Sequence, residues 1–154
     1  MLMPVKTKKH RANDDTFVIV ASRYNARYVD AMLRAARAEL LRAGAKVQIV
    51  RVPGAYEIPV VAGKLAAQSP RPSAIICLGV ILRGETTHAA HIGEAVSSAL
   101  MQIQLAHGIP VIHEVLLLEN AAQAQVRCLG QKHNRGLEAA QTALEMARVM
   151  AVIR

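Results

Sequence analysis

The chain has 154 residues, 53% of them apolar and 19% charged, which excludes a disordered polymer and suits one globular domain burying roughly 70% of its unfolded surface. No run of 18 or more uninterrupted apolar residues exists to span a bilayer, so the sequence reads as a soluble protein without a membrane partner. The net charge of +8 is concentrated in part at the start: Lys6, Lys8, Lys9 and Arg11 lie in the first dozen positions, and the remaining 15 basic residues face 11 acidic ones. We therefore read a basic N-terminal arm, residues 1–14, ahead of a mildly basic domain, residues 15–154.

Strand and helix signals alternate along the domain. Phe17–Ser22 is a β-branched run; from Val29 the apolar residues Met32, Leu33, Ala36 and Leu40 keep one-face helical spacing up to Gly44; and Val47–Val52 reads as a second strand. Pro53-Gly54 breaks it, and Pro59 suits the first turn of a helix carrying Val61, Ala62 and Leu65. Ala74–Val80 is nearly all apolar, as a central parallel strand covered on both faces requires. A polar turn, Arg83–Thr87, precedes the clearest helix, whose residues Ile92, Ala95, Val96, Ala99, Leu100 and Ile103 form one stripe ending near Gly108. Val111–Leu118 gives a fourth strand. Asn120 caps a short helix through Arg127, and Leu137, Ala140, Leu144 and Ala147 mark a final helix. Strands alternating with helices predict an α/β fold, a parallel sheet with helices on both faces.

Right-handed crossovers then bring the strand-to-helix turns to the carboxyl edge of the sheet, where open α/β sheets bind ligands. The turns are Arg23-Tyr24-Asn25, Gly54-Ala55-Tyr56-Glu57, Arg83 to His88, and Glu119 to Arg127. Gly84, Glu85, Thr86 and Thr87 are either an anion cradle at a helix N-terminus or a simple N-cap. His88 is either a general base at the head of a helix or a capping residue. Arg127 is a phosphate clamp or a solvated helix-end cation. Glu57 is a ligand-binding carboxylate or a first-turn acid. Tyr24 and Tyr56, two of only four aromatic residues, both fall in edge turns, which favours ring stacking. His88 and His91 lack a third ligand at metal spacing, and Cys77 and Cys128, the latter in a polar stretch, form no paired motif, so we expect no metal, no disulfide and a reducing cytoplasm. Without a helix-turn-helix or an aromatic-interleaved basic surface, no specific nucleic-acid partner is indicated.

Taken in order, Arg23-Tyr24-Asn25, Val52-Pro53-Gly54-Ala55-Tyr56-Glu57-Ile58-Pro59, Gly79-Val80-Ile81-Leu82-Arg83-Gly84-Glu85-Thr86-Thr87-His88, Ile109-Pro110-Val111-Ile112 and Asn134-Arg135-Gly136-Leu137-Glu138 resemble the lumazine synthase family, the match running from about Phe17 to Met146. The resemblance implies a single-domain, flavodoxin-like three-layer sandwich on a four-stranded parallel sheet, which an N-terminal strand from a neighbour can extend. It implies a cofactor-free condensation of 5-amino-6-(D-ribitylamino)uracil with 3,4-dihydroxy-2-butanone 4-phosphate to 6,7-dimethyl-8-ribityllumazine, phosphate and water, the penultimate step of riboflavin biosynthesis. It also implies homo-oligomers built from pentamers, with active sites between subunits.

Carried over by position, His88 matches the proton-moving histidine. Gly84, Glu85, Thr86, Thr87 and Arg127 match the phosphate-binding set. Tyr24, Asn25, Gly54, Ala55, Tyr56, Glu57, Val80, Ile81, Leu82, His113 and Arg135 match positions that bind the organic substrate. Several positions depart from the family's usual pattern. Ala89, Ala90 and His91 stand where an aromatic residue, an acid and a further aromatic or apolar residue are usual, which removes an acidic neighbour of His88. His113 replaces a Phe, Arg135 a Lys, and Leu118-Glu119 a Thr pair. These departures motivate a second reading, a weakly active or inactive paralogue that binds flavin- or lumazine-like ligands or forms a protein shell.

Overall fold

Phe17, Ile19 and Ala21 point to one side of strand β1 (Thr16–Ser22) and Val18 and Val20 to the other, and all five are buried, so this strand needs cover on both faces. The cover comes from helices on either side of a four-stranded, wholly parallel sheet in the order β2-β1-β3-β4, where β2 is Lys46–Val52, β3 Ala74–Leu82 and β4 Val111–Leu118. Helices α1 (Ala26–Arg42) and α5 (Arg135–Val152) pack on one face, burying Met32, Leu40, Ala140 and Leu144 with Phe17 and Ile19. Helices α2 (Ile58–Ala66) and α3 (His88–His107) close the other, burying Ile58, Leu65, Val96 and Leu100 with Val18 and Val20. This is the α/β parallel sheet covered on both faces that the alternating pattern predicts, and the flavodoxin-like sandwich that the resemblance implies. The computed structural model describes Ala12 and residues 15–153; the expected basic arm and the strand exchanged with a neighbour lie, Ala12 apart, outside the described residues. Among the described residues no helix is long and apolar enough to cross a membrane.

Three local features refine the sequence reading. Helix α1 begins at Ala26 rather than Val29, because Asn25 takes a left-handed conformation (φ 58°, ψ 42°) that turns the chain sharply off β1 into the helix. The helix expected to run through Arg127 is a single turn, α4 (Ala121–Ala124), capped as anticipated by the Asn120 side chain, which accepts the Gln123 N–H. It continues as a π-helical turn over Gln125–Leu129 that packs against α1. That turn buries Cys128 completely despite its polar sequence neighbours. Gly136, at the start of α5, lies so close to α1 that a Cβ there would sit 2.0 Å from the Met32 carbonyl oxygen; only glycine lets these two helices approach.

Candidate active site

The strand order reverses direction between β1 and β3, and the carboxyl ends of these two strands bound a cleft of about 830 Å³. Its walls come from four segments: Tyr24 and Asn25 after β1, Gly54 to Glu57 after β2, Val80 to Leu82 at the end of β3, and His88, His91, Ile92 and Ala95 on the first turns of α3. Backbone bonds stitch the first two segments together. The N–H of Arg23 donates to the carbonyls of Val52 and Pro53, and that of Tyr24 to Pro53 at 2.9 Å. Asn25 caps α1 without a side-chain bond to the helix; its Nδ2 instead donates to the Val80 carbonyl at 2.7 Å, spanning the mouth of the cleft and tying β1 to β3. A non-glycine residue with positive φ is uncommon, and here it aims an amide side chain across a ligand crevice.

Glycine at position 54 shapes the floor. A Cβ there would meet the Tyr24 ring at 2.8 Å and the Glu57 carboxylate at 3.2 Å, so the bare backbone lets ring and carboxylate converge. Tyr24 and Tyr56 remain 67% and 66% exposed, an unusual cost for large side chains in a chain with so few aromatic residues, and both project at the cleft. The His88 imidazole has no hydrogen-bond partner among the described residues, although its backbone N–H donates to the Thr86 hydroxyl at 3.3 Å. The cleft thus gathers two rings, an amide, a carboxylate and a histidine with free ring nitrogens, which is the equipment for holding a polar heterocycle beside a proton acceptor.

A scan against family models matches residues 14–151 to 6,7-dimethyl-8-ribityllumazine synthase. The chain belongs to that family. Among curated proteins of the same name it is 41% identical over 140 residues to that of Xanthomonas campestris pv. campestris (strain B100), covering 89% of this chain and 90% of the relative. It is 42% identical over 137 residues to that of Stenotrophomonas maltophilia (strain R551-3), covering 87% and 88%. The Xanthomonas oryzae pv. oryzae (strain PXO99A) protein is 41% identical over 140 residues, with 89% and 90% covered.

Of the residues singled out by resemblance to the lumazine synthase family, Tyr24, Asn25, Gly54, Ala55, Tyr56, Glu57, Val80, Ile81, Leu82 and His88 line this one cleft. Gly84, Glu85, Thr86 and Thr87 form the exposed turn between β3 and His88, held by the Arg83 N–H to Leu118 carbonyl bond and a 3.3 Å ion pair of Arg83 with Glu119. His113, Arg127 and Arg135 are not among the residues lining the cleft of the same chain. His113 lies on β4 against α3, bonded to Ser97. Arg127 lies in the π-helical turn and forms no hydrogen bond or ion pair among the described residues. Arg135 opens α5, bonded to Glu138 at 3.0 Å and facing Glu114 at 3.7 Å.

Burial pushes the Glu114 carboxyl up to about 7, opposed by Arg135 and reinforced by Glu138. His91, Ile92 and Ala95 were not expected at the cleft, yet they follow His88 at i+3, i+4 and i+7, and that spacing alone puts all four on one helix face. Glu114 and Ser97 gave no signal in the sequence, because each acquires its partner only through packing.

Proposed function

We propose that this protein condenses 5-amino-6-(D-ribitylamino)uracil with 3,4-dihydroxy-2-butanone 4-phosphate to give 6,7-dimethyl-8-ribityllumazine. The observation that carries the reading is the cleft itself: a histidine with unengaged ring nitrogens on one wall, and two tyrosine rings, Asn25 and Glu57 on the facing walls. The pyrimidine stacks on Tyr24, with Tyr56 beside it. Asn25, Glu57 and the backbone of Gly54, Ala55 and Val80 to Leu82 hydrogen-bond the uracil and the ribityl chain. The 5-amino group attacks the ketone and water leaves to form a Schiff base. His88 then accepts the C3 proton as phosphate leaves from C4; the resulting enol tautomerises to a ketone, and closure of the second nitrogen onto that carbonyl releases water again. These steps balance without an external oxidant or cofactor.

The phosphate is held by Gly84, Glu85, Thr86 and Thr87 at the positive end of α3 and by Arg127. Arg127, His113 and Arg135 come from a neighbouring subunit: none of the three lines the cleft of its own chain, and Arg127 forms no hydrogen bond or ion pair among the described residues. The working form is accordingly a homo-oligomer built from pentamers in the cytoplasm, its domain at residues 15–154 carrying the site and the basic arm at 1–14 outside it, with no specific nucleic-acid or membrane partner. Mixing both substrates with purified protein tests the proposal: lumazine absorbance should rise well above the uncatalysed rate, and a rate indistinguishable from the uncatalysed one would overturn it. Light scattering should give a multiple of five protomers; a monomer that still turns over would refute the shared site.

A further inference from the structure

The hydrogen bonds around His113 run in one direction only. The Val115 backbone N–H donates to His113 Nδ1 at 3.1 Å, and a backbone amide can only donate, so Nδ1 is the bare acceptor nitrogen. The ring proton of the neutral imidazole must then lie on Nε2, which donates to Ser97 Oγ at 2.7 Å. The Ser97 hydroxyl passes its own hydrogen to the Gly93 carbonyl at 2.8 Å, an atom that can only accept. Amide, imidazole, hydroxyl and carbonyl form a closed chain that fits one tautomer and no other. A charged imidazolium would set an Nδ1–H against the Val115 N–H. Burial also lowers the tendency of His113 to take a proton, against the opposing pull of a backbone hydrogen bond.

From this geometry we infer that Ser97 is a positioning residue that locks His113 as a neutral ring with both nitrogens occupied by its own chain. What His113 then offers a ligand is a flat ring face, and not an acid, a base or a hydrogen-bonding nitrogen. The inference rests on the proposed reaction in one respect: the ligand that meets this face is the pyrimidine held in a neighbour's cleft. His88 and His113 thereby divide two uses of the same side chain, the first keeping its nitrogens free for proton transfer and the second giving them up to become an aromatic surface. The His91 ring belongs to neither class, since its 3.3 Å contact with the Thr87 hydroxyl leaves the tautomer open.

Two measurements on the assembled protein test this. Nitrogen-15 NMR of histidine-labelled protein, with the His113 resonances assigned by their loss in His113→Phe, should show Nδ1 unprotonated and Nε2 protonated at neutral pH; a protonated Nδ1 would overturn the inference. In steady-state kinetics Ser97→Ala should raise KM for the ribitylaminouracil about fivefold with little change in kcat, as expected for one lost hydrogen bond, and Ser97→Thr should restore it. In the His113→Phe background the same Ser97→Ala change should have no effect, because a phenyl ring has no tautomer to fix. An equal effect of Ser97→Ala in both backgrounds, or none in either, would refute the positioning role. A wild-type protein without turnover would instead refute the proposed reaction, so the two failures are distinguishable.

Discussion

The cleft between β1 and β3 and the surface formed by β4 and α5 treat their polar side chains in opposite ways. In the cleft, the His88 ring has no hydrogen-bond partner among the described residues and Tyr24 and Tyr56 stay largely exposed, while the backbone beneath them is fixed by the Asn25 amide and the bonds of Arg23 and Tyr24 to Val52 and Pro53. On the other surface His113, Glu114, Arg135 and Glu138 are bound to neighbouring side chains or backbone, whereas Arg127 forms no hydrogen bond or ion pair among the described residues. The first region is a rigid frame with unspent functional groups, the second a set of groups oriented in advance with a single guanidinium left over. Under the proposed reaction the two regions become two halves of one site, each completed by a neighbouring subunit.

The largest expected effect comes from breaking the second region at its base. Gly136→Ala drives a methyl group into the Met32 carbonyl, and since both atoms belong to backbone the helices must separate; we expect a loss of about 4 kcal/mol in thermal or denaturant unfolding. A loss below 1 kcal/mol would show that α1 and α5 have slack that the geometry denies.

Glu114 sharpens the comparison through pH. Its folded-state pKa of about 7 lies above the ordinary 4.5, so the protonated acid is the form the fold prefers. Its contribution to stability is fully present below pH 4.5 and is lost as pH rises through about 7, a change of about 3 kcal/mol that Glu114→Gln should largely abolish. Unfolding free energies measured from pH 4 to 8 for both proteins would reveal it; parallel curves would contradict the assignment.

In the cleft, His88→Ala should lower kcat about 100-fold while leaving unfolding temperature nearly unchanged, because the ring supports no other residue. The smallest effect is expected for Asn25→Ala, about 1 kcal/mol of stability from the lost bond to Val80, with the strained left-handed backbone retained. Asn25→Gly should recover the backbone part of that loss but not the amide contact, which a comparison of the two variants in unfolding and in KM would separate.

The sheet was legible in the sequence because strands buried on both faces must be continuous apolar runs, as Phe17–Ser22 and Ala74–Val80 are, and the helices were legible because α3 carries its buried Val96 and Leu100 on one stripe. The cleft was legible for the same topological reason: parallel strands send their turns to one edge, and the motif-bearing turns after β1, β2 and β3 meet there. Arg127 was not. Placing it on the same edge as His88 follows from chain order alone, but the π-helical turn docks on α1 and Arg127 is not among the residues lining the cleft. The burial of Cys128 and the raised Glu114 were hidden likewise, since Cys128 lies among polar sequence neighbours and Glu114 meets Arg135 and Glu138 only once α5 has packed.

Whether the two regions are halves of one site is decided most directly by complementation between inactive variants. Subunits bearing His88→Ala and subunits bearing Arg127→Ala, each of low activity alone, are unfolded together, refolded in equal amounts, and assayed for lumazine formation after native mass spectrometry has verified mixed oligomers. A site shared across a subunit boundary restores about a quarter of the wild-type activity, the statistical share of boundaries at which an intact His88 meets an intact Arg127. Mixed oligomers no more active than the average of the two parents would place the whole site within one chain and contradict this account.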